Sequence, residues 1–87
     1  SKWGRKKIEQ ALWLKRVDSD IVREVLDEIP DSEYLDVLRP LLKAKRRSVK
    51  GSSEYEVTQK LVRFAMSRGF DYRLIRECLG SDVEEED

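Results

Sequence analysis

The sequence predicts an all-α fold of tandem three-helix repeats, with five helices that form one complete unit and one partial unit. Apolar residues recur at i, i+3 and i+4 in five segments, which is the spacing of a helix face, and no segment has the pattern of a strand. The two halves of the chain are also related by an internal repeat at an offset of 53 residues. With 39% hydrophobic and 41% charged residues, the chain favours thin helical layers over a thick core.

The first two helices are predicted before Pro30. Residues 5–16 place Ile8, Ala11 and Leu12 on one face. Asp18 or Ser19 can then cap a second helix, which Pro30 ends. The second helix has the clearest apolar stripe in the chain, formed by Ile21, Val22, Val25, Leu26 and Ile29.

The third helix is predicted to begin with a cap at Asp31 or Ser32 and to run into a basic segment. Its inward side carries Tyr34, Leu38, Leu41 and Leu42. Pro40 lies inside it, and an interior proline costs about 3 kcal/mol and removes one backbone hydrogen bond. We therefore expect a kink or a break over residues 38–40.

Two further helices follow a loop over residues 48–53. Ser53 and Glu56 have the spacing of a capping box at the start of the fourth helix, and Gly69 can end that helix in the left-handed conformation. The fifth helix is predicted to begin at Asp71. Residues 81–87 contain five acids and no base, which predicts a disordered acidic tail.

The internal repeat predicts the domain organisation. The segment Ile21-Val22-Arg23-Glu24-Val25-Leu26 aligns with Leu74-Ile75-Arg76-Glu77-Cys78-Leu79, with apolar and charged positions in step. We assign residues 1–50 to a three-helix unit, 51–80 to a terminal unit of which two helices are present, and 81–87 to the tail. Repeat units bury their apolar faces against one another, so an N-terminal truncation of a longer array is expected.

Charge is distributed unevenly although the whole chain is neutral, with 18 basic and 18 acidic residues. Residues 1–80 hold all 18 bases and 13 acids, a net charge of +5. The bases form two patches: Lys2, Arg5, Lys6 and Lys7 open the chain, and Lys43, Lys45, Arg46, Arg47 and Lys50 precede the fourth helix. Such patches suit phosphates or an acidic protein groove, but the second one equally suits a solvated helix end.

Trp13 and Cys78 are two further candidates. Trp13 lies about 140° around its helix from Ile8, so it is a candidate aromatic anchor for a partner. Packing of Trp13 against the third helix is the more expected arrangement in so thin a bundle. Cys78 lies on the apolar stripe of the fifth helix, which predicts a core thiol with a raised pKa and poor reactivity.

Composition excludes several classes of protein. The chain has no histidine and one cysteine, so we expect no zinc or other metal site, no cofactor and no catalytic site for a small-molecule substrate. It has no apolar run long enough to cross a membrane and no disulfide framework. We therefore predict a non-enzymatic, cytoplasmic protein without membrane contact, and a monomer.

Six spaced residues open the first unit: Gly4, Ile8, Leu12, Lys15, Val17 and Asp18. They match the pattern G-x-x-x-I-x-x-x-L-x-x-K-G-I-D, so the stretch resembles a repeat of the RecX family, bacterial regulators of the RecA recombinase. Residues 60–79 resemble the terminal repeat of that family. Because the family has three tandem three-helix units, the resemblance implies that residues 3–80 are the second and third. Arg16 replaces the glycine of the pattern, so we expect the first helix to end differently from the fourth.

The resemblance implies a regulator that binds the RecA nucleoprotein filament and inhibits its recombinase and ATPase activities, with DNA as a further candidate partner. The candidate contacts come from charge: they are the two basic patches together with Arg63 and Arg68. The alternative is a small helix-turn-helix module that binds nucleic acid. In that alternative, Arg73 and Arg76 of the fifth helix would read bases, because the second helix is acidic.

Overall fold

The structure is a computed structural model that describes residues 3–80, so Lys2 and the acidic segment 81–87 lie outside the described residues. Between residues 3 and 80 there are five helices and no strand, which confirms the all-α prediction. The helices are α1 (Arg5–Leu14), α2 (Ser19–Asp27), α3 (Asp31–Arg46), α4 (Glu54–Ser67) and α5 (Tyr72–Leu79).

Short polar side chains fix the starts of α2 and α4. The Asp18 carboxylate accepts hydrogen bonds from the backbone N–H groups of Asp20 (2.8 Å) and Ile21 (3.4 Å). The Ser53 hydroxyl accepts one from the Glu56 N–H (3.2 Å). The predicted capping box is only half formed, because the Glu56 carboxylate accepts from the N–H and hydroxyl of Ser52 rather than from Ser53.

The first and fourth helices end in the same way, contrary to the expectation for Arg16. Arg16 has φ 61° and Gly69 has φ 86°, both left-handed. At each end the N–H of the following residue bonds back to the last turn: Val17 donates to the Leu12 carbonyl (3.2 Å) and Phe70 to the Ala65 carbonyl (3.2 Å). The backbone hydrogen bonds from Arg16 to Trp13 and from Val17 to Leu12 hold Arg16 in the left-handed conformation, which is unfavourable for a residue with a Cβ.

The predicted N-cap of α3 is wrong and so is a break at Pro40, while a kink there remains a prediction. Its N-cap is Pro30, with no side-chain hydrogen bond, so neither Asp31 nor Ser32 caps the helix. The helix also runs unbroken through Pro40. Pro40 and Asp36 are both exposed, so water can hydrate the Asp36 carbonyl that lacks its usual N–H partner.

The main core lies between α3, α4 and α5, which all pack against one another. It is built from buried side chains of these helices and of the turn between α4 and α5: Tyr34, Leu35, Leu38, Leu42, Leu61, Val62, Ala65, Phe70, Leu74 and Ile75. In contrast, α1 packs chiefly against α2 and has no fully buried residue. The predicted division at residues 50 and 51 remains a prediction.

The start of α1 joins the end of α4 through backbone hydrogen bonds. The N–H of Gly4 donates to the Arg68 carbonyl (2.8 Å), and the N–H of Lys6 donates to the Gly69 carbonyl (3.1 Å). A Cβ on Gly4 would lie 2.5 Å from the backbone nitrogen of Phe70, so only glycine permits this approach. Gly4 is the first residue of the sequence pattern. Its lack of a side chain allows the pair formed by α1 and α2 to lie close to the pair formed by α4 and α5.

Candidate partner-binding surface

Phe64 of α4 organises two of the predicted contact residues. The ammonium of Lys45, from the last turn of α3, lies 4.9 Å from the centre of the Phe64 ring. The guanidinium of Arg68, one helical turn after Phe64, lies 5.1 Å from the same centre. The negative face of an aromatic ring attracts cations at such distances, so the half-buried ring holds both side chains in place.

The same end of α4 meets the basic start of α1. The backbone of Arg68 and Gly69 accepts the hydrogen bonds from α1 described above, and the side chain of Lys7 packs over Gly69. Lys7 of the first basic patch thus lies against the end of α4. We call the surface formed by Lys45, Phe64 and Arg68 the basic junction.

Three other predicted contact residues form ion pairs with Asp or Glu side chains. Arg5 bonds to Glu9 (2.8 Å) and to Asp27 of α2 (2.5 Å). The hydrogen bond to Glu9, with a further contribution from Asp27, raises the pKa of Arg5 and holds its charge. Arg5 therefore links α1 to α2. Two exposed pairs are weaker: Arg46 with Glu54 (3.0 Å) and Lys6 with Asp71 (3.7 Å).

The remaining predicted cations are exposed on α3, on the loop after it and on α4: Lys43, Arg47, Lys50 and Arg63. Lys43 and Arg46 stand in the last turn of α3, where cations also stabilise the helix dipole. Lys50 supplies a backbone carbonyl to the Lys60 ammonium (2.5 Å), which fixes the loop against α4. The prediction for Lys2 falls outside the described residues.

Trp13 is exposed, with 66% of its surface accessible to solvent. The expectation that it packs against α3 is therefore wrong. Together with Val17 it lines a groove of about 300 Å³ between α1 and α2. The groove is bordered by charged side chains, among them Lys6, Glu9 and Arg23. The role of Trp13 as an aromatic anchor for a partner remains a prediction.

Cys78 behaves as the sequence predicts. Its thiol is half-buried, and desolvation raises the pKa of Cys78, which lowers the thiolate fraction at neutral pH. Within residues 3–80, no group of three or more acidic or cysteine side chains is close enough together to hold a metal ion. None of the helices in this range is long and apolar enough to cross a membrane.

Sequence reasoning missed two features of this surface. Phe64 is not among the predicted contact residues, although it precedes Arg68, the C-cap of α4, by four residues, which is the spacing of a stacked pair on one helix face. The second feature is a bidentate pair in which Arg73 of α5 bonds to Asp31 of α3 at 2.7 Å and 3.2 Å. These two residues are 42 positions apart, and no local pattern indicates such a contact.

Comparison with known families decides where the chain belongs. The family model described as "RecX, third three-helix domain" matches residues 31–79, which contain α3, α4 and α5. The chain belongs to the RecX family. The three helices of the matched domain are those that share the main core.

Curated members of the RecX family match almost all of the chain. Proteins named "Regulatory protein RecX" from Clostridium perfringens strain 13 and strain SM101 are 38% and 39% identical to it, each over 92% of the chain. A protein of the same name from Clostridium botulinum strain Eklund 17B is 28% identical over 87%. The chain spans 37% of the length of each of these relatives. No solved structure matches it.

Proposed function

We propose that the chain takes part in regulating the RecA recombinase, as a non-enzymatic module that binds the RecA nucleoprotein filament and inhibits its recombinase and ATPase activities. Membership of the RecX family carries this proposal, since the curated relatives are named as regulatory proteins. The matched domain supplies α3 and α4, which carry most of the basic junction.

The charges and contacts of the basic junction support binding to an anionic partner. Lys45 and Arg68 are held over Phe64, so less side-chain entropy is lost when they meet an acidic groove or a phosphate. The backbone hydrogen bonds from α1 to Arg68 and Gly69 fix the junction on two helix pairs at once. A partner that contacts it therefore meets a preorganised cationic surface, which favours fast electrostatically steered association.

A charge-reversal variant tests this proposal. Lys45→Glu/Arg68→Glu is expected to weaken filament binding by about tenfold or more, since two attractive contacts become repulsive. It should equally weaken inhibition of the DNA-dependent ATPase of RecA. Lys15→Glu/Arg39→Glu is the matched control, because it makes the same charge change at exposed sites that belong neither to the junction nor to the Trp13 groove. Filament co-sedimentation and ATPase rates measure the two effects.

The test is run on residues 1–87 and on the longer natural chain in parallel, because the relatives are longer than this sequence. The proposal fails if the longer chain neither binds the filament nor slows the ATPase. The surface assignment alone fails if the longer chain does both and the junction variant equals the control. Circular dichroism confirms that each variant is folded.

The helix-turn-helix alternative receives less support from the contacts. Arg73 is one of the two arginines that would contact nucleic acid in that alternative, and Asp31 holds its guanidinium in the bidentate pair. Duplex binding with a steep salt dependence, without any effect on the RecA ATPase, would favour that alternative.

A further inference from the structure

Another groove lies between the C-terminal half of α3 and the end of α5. It has a volume of about 230 Å³ and is lined by side chains of both helices: Arg39, Leu42, Lys43, Arg46, Cys78 and Leu79. The four residues from α3 are spaced i, i+3, i+4 and i+7, so they form one continuous helix face. Three of these four are cationic, and no acid is among the described residues that line the groove. The groove is therefore a cationic surface with an apolar floor.

Two of the three cations in this groove have no acidic partner within residues 3–80. Arg39 and Lys43 are exposed and form no ion pair there. Arg46 is paired with Glu54 (3.0 Å), but both side chains are exposed, so this pair is weak. The one acid of α5, Glu77, does not line the groove. The groove is therefore open to an anionic segment.

The residues that follow α5 carry the complementary charge. Leu79 lines the groove, and α5 ends at Gly80, whose φ of 68° turns the chain out of the helix. Residues 81–87 contain five acids, no base and one apolar residue, Val83. Seven residues extend over about 25 Å at most, whereas the basic face from Arg39 to Arg46 is about 10 Å long. The acidic segment can therefore reach every cation in the groove.

We propose that residues 81–87 bind the groove between α3 and α5 of the same chain, with their carboxylates on Arg39, Lys43 and Arg46. Five neighbouring acids repel one another, and pairing with these cations offsets the repulsion. Each exposed ion pair is weak, but attachment next to the groove gives the segment an effective concentration on the order of millimolar. Pairs too weak to hold a separate peptide therefore suffice.

This docking site is separate from the basic junction. Lys45, Phe64 and Arg68 do not line the groove, so the acidic segment meets other cations of α3. Docking neutralises Lys43 and Arg46, two of the predicted partner contacts, and leaves the basic junction as the cationic surface open to a partner. That consequence rests on the proposed function, whereas the docking itself does not.

Cys78 reports on the groove, because it lines the groove and is the one cysteine of the chain. The rate of its reaction with a maleimide is measured in residues 1–87 and in a neutral-segment variant. That variant replaces the five acids by their amides: Asp82→Asn, Glu84→Gln, Glu85→Gln, Glu86→Gln and Asp87→Asn. Both proteins are then made again with Arg39→Gln/Lys43→Gln, and circular dichroism checks that each variant is folded.

The matched control is Arg47→Gln/Lys50→Gln. It removes two charges from the same basic segment, at exposed side chains that do not line the groove. In this control, as in the wild-type background, neutralising the acidic segment should make Cys78 react about threefold or more faster, because the docked segment no longer covers the thiol.

In the Arg39→Gln/Lys43→Gln background, neutralising the acidic segment should change the Cys78 rate little. Without docking, the charge of the segment would act on the thiol through space and to a similar extent in every background. The double-mutant cycle therefore separates docking from a general effect of charge.

Equal Cys78 rates with the acidic and the neutral segment would overturn the proposal. So would a segment effect of the same size in the Arg39→Gln/Lys43→Gln background. Protection that rises with protein concentration would also overturn it, because the segment of a second copy would then be the occupant. These measurements involve no RecA, so failure of the docking proposal leaves the proposed function standing.

Discussion

At the residue scale, Arg16 carries the clearest backbone strain in residues 3–80. It is the one non-glycine residue there with a positive φ, 61°. The corresponding residue of the second unit is Gly69, which adopts φ 86° without a Cβ penalty. The hydrogen bonds of Arg16 to Trp13 (2.9 Å) and of Val17 to Leu12 (3.2 Å) close the end of α1 and hold the strained residue.

Replacing Arg16 with glycine should relieve this strain. We expect Arg16→Gly to raise the free energy of unfolding by about 1 kcal/mol, the usual cost of a left-handed non-glycine residue. Urea denaturation followed by circular dichroism measures the change. Gly69→Ala is the opposing control. The new Cβ would lie 2.5 Å from the backbone nitrogen of Lys7, so this variant should be less stable than wild type. Loss of stability in Arg16→Gly would contradict the explanation.

At the element scale, the pair of Asp31 and Arg73 ties the start of α3 to α5. Hydrogen bonds from the Arg73 guanidinium lower the pKa of Asp31 below its ordinary value of 3.8. A carboxylate whose pKa is lowered by folding contributes stability above its unfolded pKa. That contribution is lost as the pH falls through the lowered folded value.

The lowered pKa of Asp31 predicts that the stability of the protein depends on pH. Wild-type protein should lose stability as the pH falls below about 3.8, the ordinary pKa of Asp31. Asp31→Asn should be less stable than wild type at neutral pH, and the difference between the two should shrink with acidification. Asp36→Asn, at an exposed site on the same helix, is the control. Thermal unfolding at a series of pH values measures the effect, and a pH-independent difference would contradict it.

At the scale of the whole molecule, the two helix pairs meet where α1 begins and α4 ends. Gly4 is buried there and donates to the Arg68 carbonyl (2.8 Å). The described molecule is elongated, 45 × 25 × 22 Å, so this joint and the contacts around it set how the pairs are aligned. Arg68 of the basic junction supplies that carbonyl, so the junction adjoins the joint.

An added methyl group at Gly4 should loosen the joint. Gly4→Ala is expected to lower the free energy of unfolding by about 1–3 kcal/mol, as overpacking does, because the new Cβ meets the Phe70 backbone at 2.5 Å. Gly51→Ala is the control, since Gly51 is exposed and its nearest neighbours lie at 3.1 Å or more. Equal stability of the two variants in urea denaturation would show that the close approach is not required.

Local signals predicted the helices well and their contacts less well. Asp18 and Ser53 cap their helices, and Gly69 ends α4, because each acts on backbone groups within a few residues. Pro40 does not break α3, since the packing of the helix on α4 and α5 outweighs one lost hydrogen bond. Trp13 is exposed because no helix in the described structure covers it, which its position on α1 does not reveal.

The sequence by itself determined the five helices, the repeat that relates them, the family and the two basic patches. These properties rest on short-range spacing and on residue identity, which can be read along the chain. Only the tertiary structure decided that Lys45 and Arg68 meet beside Phe64, and that Ile21 is exposed while its equivalent Leu74 is buried. Burial and charge clustering depend on which distant helix packs on a face. Two segments with matching sequences therefore differ in burial when a third helix packs on only one of them.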